Sequence, residues 1–502
     1  MATLRFATDC RASAGDVRVP LFRCLECFSE DLVCEECCRE AHMEHPLHVV
    51  EKWNGRFFEH TRLCDIGVFM QLGHRPNEQC FNPRFIEGFT VIHTNGVHSV
   101  VLAYCDCPGH HAAGEWHQQL MRRRWFPATH IDPQTAATFQ VLNMFHVLML
   151  QEKVTTYDFY AGLKKLTNNA GLGTNKDRYK AFSRMMREWR HLKMAKRAGR
   201  GNDVQRNLAE TQTGEMGKSC IACPRPGVNL PDDWDKVAKG KCFLYWLFIA
   251  IDACFRLKRG LVSSEIRDPN LDVGGSYFTE DGLFREYLKG VTDQREMSTC
   301  TGLAALDHAN TKFSRGYATT GIGLGVCARH EFIQKNGAVD LQKGERYANI
   351  DYAYASLLRH HDPKLTKVTS YNIVCQWCKN VVSRVKSLTS LVRCDLSKQD
   401  IRFVIPKLHI YGHQLLCQLK FSLNWLRGAG RTDSEGIERP WAHLGPIATS
   451  TRDMGPGARH DTMNDHFGHW NWGKLIGLGE FIHCVLNINL ILFKQDLCYI
   501  SA

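Results

Sequence analysis

The sequence predicts an α+β, multidomain chain: a small zinc-binding module, then a helical region, then a core built on a mixed β-sheet. Three observations lead there. Cysteines and histidines crowd at metal-ligand spacing between Cys24 and His48, apolar residues recur at helical spacing through the middle, and short apolar runs alternate with helical stretches from Cys242 onward. The chain has 502 residues, and a prior of about 100–200 residues per domain gives two to four domains. The boundaries read as 1–108 for the cysteine module, 109–237 for the helical basic region, 238–480 for the core with an insert at about 263–315, and 481–502 for a tail.

A formal charge of +11 favours a polyanionic partner, although proteins that bind none share it. The first residues lack a basic n-region followed by an apolar stretch, so no secretory signal is expected. The longest apolar runs, 242–251 and 481–493, fall short of the roughly 20 residues of a membrane helix, and no membrane partner is expected. The chain therefore reads as soluble and intracellular, a compartment in which its 22 cysteines are unlike a disulfide framework. Metal binding and buried thiols must account for them.

Taken in order, Cys24 and Cys27, then Cys34 and Cys37, form two C-x2-C pairs, followed by His42, His45 and His48. Each C-x2-C loop turns back so that both thiolates face one ion, which points to tetrahedral Zn2+. Cys10 and Cys38 are either spare thiols or parts of a second site. A strand-like alternation follows over 90–104, and Cys105 and Cys107 with Cys80 form a weaker metal candidate. From 117 to about 206 the pattern is helical, broken early by Pro127 and Pro133 and interrupted by a loop at Gly171 and Gly173. Its cations include Arg187, Arg190, Lys193 and Arg197, which form either a solvated face or a phosphate-contacting one. Cys220 and Cys223, in a Pro/Gly-rich stretch, mark a linker more than a metal.

In the core, 242–251 reads as a buried strand ending at Asp252, with further strands at 256–262 and 316–328, a helix at 344–358, a strand at 367–374, a helix at 376–388 and a strand at 401–410. A late helix carries Glu435 and Glu438. This is the element order of the ribonuclease H-like fold. Cys327 and His330, with His409, His413 and Cys417, form a further metal candidate. The four-residue spacing of the last three suits one helix face, although 406–410 reads as strand.

Residues spanning nearly the whole chain carry a family resemblance. They include Cys105, Asp106, Cys107, Pro108 and Gly109; Cys220 to Pro224 with Asn229, Leu230 and Pro231; Asp252 to Leu257; Cys327 to His330; Gly344 to Tyr347 with Asp351 and Tyr352; Pro406 to Cys417; Gly430 to Trp441; and Asp453 to Gly457. With these the chain resembles a Kyakuja-Dileera-Zisupton transposase of the basidiomycete fungal type, with the cysteine cluster associated with that family. The resemblance implies a nuclear Asp-Asp-Glu enzyme that cuts and joins DNA at transposon terminal repeats and target sites, with Mg2+ or Mn2+ in the catalytic site and homo-oligomers as a possible assembly. It makes Asp252 the first ligand and Glu435 or Glu438 the last.

Two departures bear on activity. Asn372 stands where the pattern has the second Asp, and Ser434 where it commonly has Gly. An amide removes a full charge from a site meant for two divalent ions, so the expectation is a degenerate enzyme. Asp351 and Asp362 are the nearest acids for rescue. The alternatives are an inactive, transposase-derived DNA- or chromatin-binding protein and a zinc-dependent protein-interaction module.

Overall fold

The computed structural model describes residues 19–29, 31–75, 78–109, 111–170, 176–291, 315–484 and 486–487. Cys10 and most of the expected tail lie outside these residues. The chain forms two compact units, 1–189 and 190–502, a division that differs from the boundaries at 108 and 237 read from the sequence.

In the first unit, β1 (Phe22–Cys24), β2 (Val50–Trp53) and β3 (Phe58–Thr61) make an antiparallel sheet beside helix α1 (Glu35–His42). Its apolar core is small, centred on Phe22, Cys38, Val50, Leu63, Ile66 and Val68. A second sheet has the order β4-β6-β5-β8-β7, formed by β4 (Phe69–Gln71), β5 (Pro83–His93), β6 (Gly96–Cys105), β7 (Trp125–Pro127) and β8 (Thr135–Thr138). The alternation over 90–104 is thus a hairpin: Thr94 and Asn95 turn the chain between His93 and Gly96.

The segment expected to be helical from 117 opens with α2 (Trp116–Arg122) but then gives β7 and β8 to this sheet. Thr138 next accepts a hydrogen bond from the Val141 N–H at 3.3 Å and caps α3 (Phe139–Glu152). Helices α4 (Thr156–Thr167) and α5 (Tyr179–Arg197) follow. Val141, Leu142, Phe145, Phe182 and Met185 pack with Ile92 and Phe126 of the sheet, so helices and strands share one core.

The second unit is organised by a five-stranded sheet of order β13-β12-β9-β14-β15. It comprises β9 (Leu247–Cys254), β12 (Gly321–Cys327), β13 (Ile333–Leu341), β14 (Lys367–Tyr371) and β15 (Ile401–Val404). β9, β12 and β13 are antiparallel neighbours, whereas β14 pairs parallel with both β9 and β15. The strand β13 was not read from the sequence; the strand expected at 256–262 is the two-residue β10 (Arg259–Gly260), paired with β11 (Tyr317–Thr319). Between them the expected insert carries α6 (Asp281–Lys289), and 292–314 lie outside the described residues.

Strand alternation decides what each face of β9 meets. Leu247, Ile249 and Ile251 pack against the wholly buried helix α7 (Tyr347–Leu358). Gly325 permits this approach, since a Cβ there would lie 2.4 Å from Leu357 Cδ2. Phe248, Ala250 and Cys254 point the other way, toward Trp441, Met463 and Phe467. The helix expected at 376–388 is two short ones, α8 (Val374–Trp377) and α9 (Val381–Lys386). Beyond β15 come α10 (Leu415–Phe421), α11 (Glu438–Leu444), α12 (Ala448–Arg452) and α13 (Pro456–Ile476). Among the described residues no helix is long and apolar enough to cross a membrane.

Candidate active site and metal centres

Asp252 shares the parity of Phe248 and Ala250 and so emerges on the face that α11 covers. Tyr371 lies opposite Ile251 in the parallel pair, so the next residues, Asn372 just past β14 and Asp252 still within β9, come side by side. Asn372 Nδ2 donates to Asp252 Oδ1 at 3.4 Å, and Trp441 Nε1 donates to Asp252 Oδ2 at 3.0 Å. A cleft of about 620 Å³ opens here, lined by Asp252, Arg256, Lys258, Glu438 and Trp441 among others. Burial pushes the Asp252 carboxyl up to about 6, and the negative charge of Glu438 adds to the rise against the hydrogen bond from Trp441.

Glu435 and Glu438 were expected three apart on one helix face. The helix begins at Glu438, and Glu435 lies in the turn before it. In that turn Ser434 has a φ of 61°, in the left-handed region, which explains why a glycine suits the position. Glu435 turns away to accept from the Leu408 N–H at 2.6 Å and to pair with His409 Nδ1 at 3.1 Å. Burial alone would raise the Glu435 carboxyl, but these contacts hold it below its usual value; the same contact with Glu435 raises His409, with Asp252 and Glu438 contributing.

Neither rescue acid reaches Asn372. Asp351 is fully buried on α7, ion-paired to Arg384 at 2.6 Å and hydrogen-bonded by Trp377 Nε1 at 2.7 Å. Asp362 precedes β14 and therefore sits at the strand end opposite Asn372. The basic helix is also corrected in part. Arg190 is buried and donates to Thr462 Oγ1 at 3.0 Å, and Arg197 lies 3.8 Å from the Asp465 carboxylate. Burial takes Arg190 away from any solvent-facing surface, while Arg187, Lys193 and Arg197 are half-buried.

Among the described residues, four Cys/His groups bring their potential ligand atoms within 4.8 Å of one another. The first is Cys24, Cys27, His42 and His48. Cys27 Sγ lies 3.5 Å from both His42 Nε2 and His48 Nδ1, while His42 Nδ1 meets the Cys38 carbonyl at 2.7 Å, which turns Nε2 toward the thiols. Cys34, Cys37 and His45, expected as ligands, fall outside this group. Cys34 stands just before α1, Cys37 lies in its first turn, and His45 stacks on His48 at 4.8 Å.

The second group joins Cys80, Cys105 and Cys107 to His74, a potential ligand missed from the sequence because no short spacing ties it to the cysteines. Gly73 lets that loop close, since a Cβ there would lie 2.5 Å from Cys105 Cβ. The expected set of Cys327, His330, His409, His413 and Cys417 is split three ways. Cys327 and His330 join Cys220 and Cys223, His413 and Cys417 join Cys375, and His409 goes to Glu435.

Residues 245–471 match the Kyakuja-Dileera-Zisupton transposase model, and 63–171 match the CxC2-like cysteine cluster associated with KDZ transposases. The second match contains the His74 group, whereas the Cys24 group precedes both. No curated protein and no solved structure matches the chain.

Proposed function

We propose that this chain, which carries a KDZ transposase region at 245–471, is a metal-dependent DNA transposase by descent whose chemistry is weakened by Asn372. The observation that carries the reading is that Asp252 and Glu438 line one cleft, with Asn372 hydrogen-bonded to Asp252. The sheet supports it too, since a third-second-first-fourth-fifth strand order with two parallel additions is that of a ribonuclease H-like core. Asp252 is the first acid, and Glu438 the last, because it shares the cleft while Glu435 is held by His409.

The donor set is of hard oxygens, as Mg2+ or Mn2+ requires. It offers two carboxylates and one neutral amide, short of the charge that two ions call for. A bound ion supplies Lewis acidity at a phosphoryl oxygen. The chain's residues do the rest: Arg256 and Lys258 hold the phosphate at the cleft by charge, Trp441 fixes the Asp252 carboxylate, and Glu438 supplies the opposing charge. DNA is the partner, in terminal repeats and target, with a nuclear location and homo-oligomeric assembly as parts of this reading. Structural Zn2+ is assigned to the Cys24 and His74 groups, whose sulfur and imidazole donors suit it.

A specific observation favours a second reading, an inactive DNA- or chromatin-binding protein: both Asp252 oxygens already accept from neutral donors. Divalent-metal-dependent nicking of the element's own end DNA, by the parent chain beside Asn372→Asp, separates the two. Activity only in the variant supports the degenerate enzyme. Silence in both, with DNA still bound, leaves the binding protein.

A further inference from the structure

The turn that joins β12 to β13 carries Cys327 and His330, and opposite it the loop at Cys220 and Cys223 brings in two more thiols. Cys223 and Cys327, 104 residues apart, approach to 3.0 Å between sulfurs, and His330 Nδ1 lies 3.4 Å from both Cys220 Sγ and Cys327 Sγ and 3.9 Å from Cys223 Sγ. A disulfide needs about 2.05 Å, which excludes one here. Tetrahedral zinc, with Zn–S near 2.3 Å and Zn–N near 2.0 Å, has ligand-to-ligand edges of about 3.5–3.8 Å. The observed edges bracket that range.

The thiol loop is built to hold its shape. Asn229 Nδ2 donates to the carbonyls of Ile221 at 2.9 Å and Cys223 at 2.8 Å, while its Oδ1 accepts from the Arg225 N–H at 2.7 Å. All three cysteines are buried. On the other side, the Cys327–His330 turn grips the segment that leads to the last acid. Arg329 Nε donates to Thr432 Oγ1 at 3.0 Å, and Glu331 pairs with Arg439, the neighbour of Glu438. Trp470 Nε1 donates to the Glu331 carbonyl at 2.8 Å, and Lys474 meets its carboxylate.

We propose that Cys220, Cys223, Cys327 and His330 bind one structural Zn2+, and that this ion positions Glu438 by fixing the turn that holds Arg439. The positioning half rests on the role given to Glu438 under the proposed function; the zinc half does not. Zn2+ displaces the three thiol protons on binding, so the site takes the metal as a thiolate complex.

The test uses the full chain, with zinc counted per chain and Mn2+ affinity measured at the cleft. Cys220→Ala and His330→Ala each lose one zinc equivalent and weaken Mn2+ binding several-fold, whereas Cys220→His, which keeps a ligand, retains both. Asp252→Ala removes cleft Mn2+ and leaves the zinc count unchanged. An unchanged zinc count in both alanine variants overturns the site. Zinc loss with unaltered Mn2+ affinity overturns the positioning role. Should the parent chain bind no Mn2+ at the cleft, the proposed function and the positioning role fail together, while the zinc count still decides the site. Circular dichroism of each variant, with Cys220→His as the folded reference, separates ligand loss from collapse.

Discussion

In the N-terminal unit, Cys24, Cys27, His42 and His48 offer a full set of four soft donors, and the backbone around them has little apolar core of its own. At the end of β9, Asp252 and Glu438 offer hard donors on a sheet buried on both faces, and the set is one charge short. On the proposed reading, the first region needs its ion to exist as a fold, while the second has an apolar core of its own and needs its ions only to act. Losing a ligand should therefore cost structure in one place and rate in the other.

The largest expected effect breaks the comparison at its first half. Chelation of the full chain should expose the amides of β1 and β2 to hydrogen exchange, because structural zinc contributes about 10–16 kcal/mol in comparable small modules. Protection unchanged by chelator would mean that Phe22, Val50 and their neighbours suffice as a core. Next in size, Arg384→Ala leaves Asp351 charged and unpaired inside the second unit, at a cost of about 3–5 kcal/mol in urea unfolding. Asp351→Asn should cost less, since no buried carboxylate remains.

Asn372→Asp sharpens the second half. It should raise divalent-metal-dependent nicking by about 100-fold, equal to about 2.7 kcal/mol, with the melting temperature little changed; adding Asp252→Ala should remove the gain. Robust cleavage by the parent would show that the amide suffices. A smaller effect follows from the Asp252 carboxyl, raised in the folded chain from 3.8 to about 6. Metal needs the ionised form, so Mn2+ affinity should climb about tenfold per pH unit up to roughly pH 6 and level off above it. In the metal-free fold the sign is reversed. The protonated carboxyl favours folding, and that contribution, complete at acid pH below the unfolded value, is lost as pH rises through about 6. Asp252→Asn should abolish this pH dependence. Smallest of all, Ser434→Gly should relieve a left-handed φ and gain about 1 kcal/mol in thermal unfolding without altering the cleft.

The legible parts of the site were those whose signal is local. A strand of eight apolar-rich residues ending near Asp252, and a C-x2-C pair at Cys24, declare themselves within one loop or one strand. His74 and the partnership of Cys220 with Cys327 did not, because their ligands are joined by sheet pairing and loop closure rather than by spacing. The basic helix is read incompletely for a related reason: helical periodicity marks which cations lie together, while the packing of α13 decides that Arg190 is buried against Thr462. Strand β13 escaped because Lys335, Asn336 and Gly337 interrupt its apolar run, although all but Lys335 are buried.

By itself the sequence determined the residue types available for metal, the apolar strand that carries Asp252, and the amide at 372, since each is fixed by identity and short-range periodicity. Only the tertiary structure decided which Cys and His side chains lie together, that Asn372 lies against Asp252, and that Glu438 rather than Glu435 lines the cleft. The physical reason is that parallel strand register and the left-handed turn at Ser434 are set by contacts among residues far apart in the chain, which no local pattern encodes.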